Sequence, residues 1–134
     1  MKTTIALIAM FAATPAIAET ASEPYEVKVD PPVCYLTIVK KVFYAGPPEG
    51  QGLSRCGACA SGIAYTNGEH QDGSYSFVPE MEHSRPGDRI QLCLVSILAN
   101  CPKGDDRNKT YKATNLRTHE SWVRPNYEHM CGGA

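Results

Sequence analysis

The sequence predicts a mainly β domain, a single antiparallel β-sandwich or small barrel stapled by disulfides, with a small α+β fold as the alternative. Three observations carry this. Short segments rich in β-branched and aromatic residues are separated by clusters of Gly, Pro, Asn and Asp. No segment combines a 3.6-residue apolar period with capping residues at its ends. Six cysteines fall in one chain of 134 residues, a density typical of small domains that need covalent support.

Taken in order, residues 1–18 read as a secretory signal peptide. Lys2 supplies the positive start, Ile5 to Ala13 the apolar run, and Ala16-Ile17-Ala18 the small-x-small cleavage site. The run is about half the length that a membrane-spanning helix needs, and no second such run follows. Residues 19–134 are then one secreted cysteine-rich domain with no membrane span. Tyr25 to Asp30 alternates apolar and charged residues, which predicts an edge strand interrupted by Pro31-Pro32. Cys34 to Ala45, "CYLTIVKKVFYA", is a second strand by composition. Gly46 to Gly52 is a loop.

Gly62 to Val78 reads as a hairpin. Ile63-Ala64-Tyr65 and Tyr75-Ser76-Phe77 flank "TNGEHQDGS", which holds both an Asn-Gly and an Asp-Gly turn signal. Pro79 to Asp88 reads as a loop. Arg89 to Ala99, "RIQLCLVSILA", is the most hydrophobic segment after the signal peptide and is expected to be a central strand. Asn100 to Asn108 is a loop, Lys109 to Thr114 and Thr118 to Val123 are two more strands, and an irregular tail from Arg124 closes on Cys131.

Cys34, Cys56, Cys59, Cys93, Cys101 and Cys131 are expected to form disulfides, although six cysteines allow fifteen pairings. Cys56-Gly57-Ala58-Cys59 has the spacing of a redox pair. That chemistry needs a helix starting at the first cysteine, to lower its thiol pKa, and this stretch has none. A zinc ribbon needs a second close pair, and Cys93 and Cys101 lie eight apart. The pair is therefore expected to be structural, each member bonded to a different distant cysteine. Cys93, within the hydrophobic strand, is expected to be buried.

With 13 Lys and Arg against 14 Asp and Glu, the formal charge is −1. A near-neutral chain without a basic stripe has no field to collect nucleic acid, so no DNA binding is expected. Gly-x-Ser-x-Gly, His-Glu-x-x-His and phosphate-loop motifs are absent from the sequence. No metal or other cofactor and no catalytic residue is assigned. Asn108-Lys109-Thr110 is an N-glycosylation acceptor. Candidate binding residues are His83 and Arg85 in the Pro79–Asp88 loop, and Trp122 and Tyr127 near the C-terminus. A lone Trp such as Trp122 can anchor a partner but more often packs over the core. Candidate contact loops are Ala45–Arg55, Asn67–Ser74 and Pro79–Asp88.

In plan the chain resembles the small secreted cysteine-rich effectors of plant-associated fungi: signal peptide, one β-rich domain, even cysteine count. Cys34 opening an apolar strand looks like the first strand of several β-sandwich effectors. A local stretch, Cys56-Gly-Ala-Cys59 followed by Tyr65, Asn67 and Gly68, resembles expansin-like and cerato-platanin double-psi barrels, but Asn100 stands before Cys101-Pro102 where expansins carry an Asp. The first resemblance implies a secreted effector or toxin-like protein that binds a host protein or cell-surface component. The second implies non-catalytic carbohydrate binding. A third expectation is a small ribonuclease-type hydrolase drawing on Glu82, His83, Arg85, His119 and Glu120, since a converging Glu, Arg and His suit acid–base work on a phosphate.

Overall fold

The computed structural model describes residues 22–45, 60–73 and 77–132. The signal peptide, the Gly46–Gly52 loop, the Cys56–Cys59 pair, and Tyr75 and Ser76 of the expected hairpin lie outside them. The described chain forms a six-stranded antiparallel sheet in the order β3-β2-β1-β4-β5-β6, curled into a half-barrel. The strands are β1 Tyr25–Ala45, β2 Ala60–Tyr65, β3 His70–Asp72, β4 Arg89–Ala99, β5 Lys109–Asn115 and β6 Ser121–Pro125. One helical turn, α1 Pro79–Glu82, precedes β4. The mainly β expectation is met. The segment expected to be a loop from Pro79 does hold one turn of helix, started by Pro79 in the first turn, where a missing N–H costs nothing.

β1 organises the sheet. Its first part, Tyr25 to Ile38, pairs with β4, and its last part, Val39 to Ala45, pairs with β2. Pro31-Pro32 does not end the strand. Between the Lys28–Ser96 and Val33–Leu94 pairs the ladder shifts, so β1 bulges there, which is where a strand can accept prolines that cannot donate to a ladder. The Asp30–Pro31 peptide is cis.

The hairpin is shorter than expected. β2 pairs with β3, and the second strand is His70–Asp72 rather than one containing Phe77. The Asn-Gly signal makes the turn: Gly68 adopts φ +90°, the Asn67 side chain accepts from the Glu69 N–H at 3.1 Å, and the Tyr65 N–H donates to the Glu69 carbonyl at 2.9 Å. The Asp-Gly signal ends β3 instead. Gly73 N donates to the Ser61 carbonyl at 2.7 Å, and a Cβ at Gly73 would stand 2.8 Å from that oxygen. β4 keeps its expected limits.

The core lies inside the curl: Val39, Ile63, Tyr65, Ile90, Leu92, Tyr111, Ala113 and Trp122, with Val78 and Met81 of the helical segment filling one end. The inward positions alternate along each strand, as the pleat requires. The two outermost strands do not share a ladder. Gln71 of β3 bridges them with its amide, which donates to the Tyr111 carbonyl at 2.8 Å and the Arg124 carbonyl at 3.1 Å. Its oxygen accepts from the Tyr65 hydroxyl at 2.6 Å and the Trp122 indole at 2.8 Å. All four hydrogen-bonding positions of the amide are thus filled. Burial pushes the Tyr65 hydroxyl pKa well above the phenol range.

Cys34 bonds Cys93, and Cys101 bonds Cys131. The first bridge joins directly opposed residues of β1 and β4, and the second ties down the tail, as expected of Cys131. Two expectations change. Cys93 is only half-buried and Cys34 is exposed, because both point to the outer face of the sheet. The four distant cysteines also bond one another, so none remains for Cys56 or Cys59. Among the described residues no helix is long and apolar enough to cross a membrane.

Candidate functional site

The outer face of the β1–β2–β3 sheet carries a groove of about 690 Å³. Its origin is visible in the β2 sequence. Ser61, Ile63 and Tyr65 point into the core, so Ala60, Gly62 and Ala64 face out. The register then builds two rows across the sheet. Lys41, Ala64 and His70 form one, and Phe43, Gly62 and Asp72 the other. In each row a small residue lies between two large ones, so the middle strand becomes a floor and its neighbours become walls. A Cβ placed on Gly62 would touch Phe43 at an ordinary 3.7 Å, which shows how closely that ring leans over the floor.

Phe43 is 47% exposed. The Lys41 ammonium sits 4.6 Å from its ring centroid, within cation–π range. Across the floor, His70 packs edge-on against Tyr127, ring centroids 4.4 Å apart. Glu69, at the end of the groove, is held by Lys109 at 3.2 Å, and Asp72 is also engaged. Tyr44, beside Phe43, packs edge-to-face on Phe77 at 5.9 Å.

A second polar region lies where the helical segment meets the β5–β6 turn. Arg117 grips Asp88 with two hydrogen bonds of 2.7 and 2.8 Å and donates to the His83 carbonyl at 2.7 Å. Asp88 also accepts from the Asn115 amide at 2.9 Å and the Arg85 N–H at 2.9 Å. Asn115 reaches Ser84 at 3.0 Å, and its oxygen receives the Arg117 and Thr118 N–H groups. The Arg117 guanidinium holds the Asp88 carboxyl far below the usual carboxylate range, with help from Asn115 and the Arg85 N–H and against the effect of burial. Beside this cluster His83 Nδ1 meets the Glu120 carboxylate at 2.9 and 3.1 Å. His83 lowers the Glu120 pKa, while burial raises that of Glu82, opposed by the Ser61 hydroxyl and His83.

The expected site residues are therefore scattered. His83 and Glu120 meet. Arg85 contributes its backbone N–H, and its exposed side chain forms no ion pair among the described residues. His119 lies in the β5–β6 turn at φ +63° and is exposed. Trp122 is a core side chain whose one donor is taken by Gln71, so it offers no surface anchor. Tyr127 is half-buried and supports His70. Asn108 is half-buried, with its amide turned to the Leu98 carbonyl at 3.4 Å. Among the described residues no group of His, Cys, Asp or Glu is placed to hold a metal ion.

Lys41, Phe43, Gly62 and Ala64 were missed as a site. Their signal, small residues at alternate positions of β2, acquires meaning only once the inward face is known. Asp88 and Arg117 are 29 residues apart, with no local signal linking them. No protein-family model matches the chain, and neither curated proteins nor solved structures give a match.

Proposed function

We propose that this is a secreted, non-catalytic binding domain of the effector or toxin-like kind, and that it recognises its extracellular partner in the outer groove of β1, β2 and β3. One observation carries the reading: two large-small-large rows leave an exposed Phe43 and Lys41 beside a floor of Gly62 and Ala64. Concave sites with an apolar wall and a few polar groups are the usual form of a ligand site. The bridges and the Gln71 network supply durability outside the cell. Gly62→Leu should obstruct the groove floor, and Phe43→Ala should remove a wall. Each should abolish the effect of the purified domain on host tissue or a competing microbe while Tm stays unchanged. If only core or cysteine changes abolish that effect, the reading falls.

The His83–Glu120 contact favours a second reading, a small hydrolase in which Glu120 orients His83 as a general base. Against it, Arg117, the cation whose charge acts on Glu120, is already committed to Asp88 and the His83 carbonyl. RNA left intact by the purified protein across pH 4–8 would end it.

A further inference from the structure

We propose that the groove takes a small planar organic anion, an aromatic ring bearing a carboxylate. This rests on the groove being the recognition surface and names the chemistry it reads. The volume of about 690 Å³ suits a ligand of a few rings. The floor strand β2 is paired on both sides, with β1 and with β3. Its backbone groups are spent in those ladders, so an extended peptide cannot add there as a strand. Recognition falls to side chains and to contact with the floor. Gly62 and Ala64 project nothing beyond a methyl group, so a flat ring lies directly on the sheet with its edge against Phe43.

The groove holds an ammonium that has no ion-pair partner among the described residues. Lys41 takes part in none of the ion pairs among the described residues; its partner is the Phe43 ring. Of the carboxylates along the groove, Glu69 is paired with Lys109, and Asp72 has an interaction of its own. A carboxylate on the ring would meet Lys41 while the ring covers Gly62 and Ala64, and the two contacts reinforce each other. On the opposite wall Tyr127 fixes the His70 ring, which sets the width of the groove.

The test is an NMR titration of the secreted protein with naphthalene-2-carboxylate and with naphthalene-2-carboxamide, which share a ring system and differ in charge. The carboxylate should shift the Gly62, Ala64 and His70 amides and bind about tenfold tighter than the amide, the order that one charge-assisted contact supplies. Lys41→Gln should erase the difference between the two probes. Gly62→Leu, with Tm retained, should abolish both. Equal affinity for the two probes overturns the anion assignment; if Gly62→Leu still abolishes both, the groove stands as the recognition surface. If neither probe shifts the groove, the assignment is overturned, and loss of effect by Gly62→Leu in the functional assay separately decides the groove itself. Shifts that survive Gly62→Leu place the probe elsewhere and overturn both.

Discussion

Two polar regions of this domain differ in one respect, how completely their groups are used. At the end of the half-barrel, Asp88 receives hydrogen bonds from Arg117, Asn115 and the Arg85 N–H, and Asn115 is engaged through both ends of its amide. In the outer groove, Lys41 rests on an aromatic ring, and Phe43 stays half exposed. A buried carboxylate without partners is costly, so the first region is explained by folding alone. An exposed ring and an ammonium held only by that ring, beside a floor of small residues, add little to the fold. The difference teaches where to look for function: in the region whose residues stability does not require.

The comparison can be broken most decisively at Gln71. Gln71→Leu leaves the Tyr65 hydroxyl, the Trp122 indole and two carbonyls without their partner, and should cost about 3–5 kcal/mol in denaturant unfolding. A cost under 1 kcal/mol would mean that the barrel does not depend on this bridge. Asp88→Ala comes next, at about 2–3 kcal/mol. Acid addresses the same cluster. The folded-state pKa of Asp88 is depressed, so its contribution is complete above the ordinary aspartate value of about 3.9 and is lost as pH falls below it toward the folded pKa. Unfolding followed from pH 6 to pH 2 should show this loss, and Asp88→Ala should flatten it.

A similar loss, about 2–4 kcal/mol, is expected when Cys101 and Cys131 are both changed to Ser, because their bridge restricts the unfolded chain. Peptide mapping without reduction should recover Cys34–Cys93 and Cys101–Cys131 as separate pairs. Finally, Gly62→Leu and His83→Gln should leave Tm essentially unchanged. A Cβ at Gly62 makes only ordinary contacts, at 3.7 Å, with the Gln71 carbonyl and Phe43. The His83–Glu120 pair is largely exposed, and such pairs contribute little. A large fall in Tm for Gly62→Leu would erase the contrast between the two regions.

Much of the fold was legible because it is local. The β4 segment declares itself by its apolar run, and its limits hold. The Asn67-Gly68 turn is written in two residues. The Asp72-Gly73 signal misled because a turn dipeptide also serves where a strand must stop under a neighbouring carbonyl. The inner role of Trp122 was the more frequent reading of a lone indole, but the sequence did not fix it. Its choice came from Gln71, 51 residues away.

The sequence by itself determined the class of this protein: alternating and β-branched segments, punctuated by turn residues and supported by cysteines, can hardly bury their apolar face except as an antiparallel sheet. Tertiary structure alone decided the cysteine pairing among Cys34, Cys93, Cys101 and Cys131, the closure through Gln71, and the groove. Each depends on register, and register is a relation between distant strands. It is set by which face each strand buries and by how the sheet curls, so it cannot be read from any one segment.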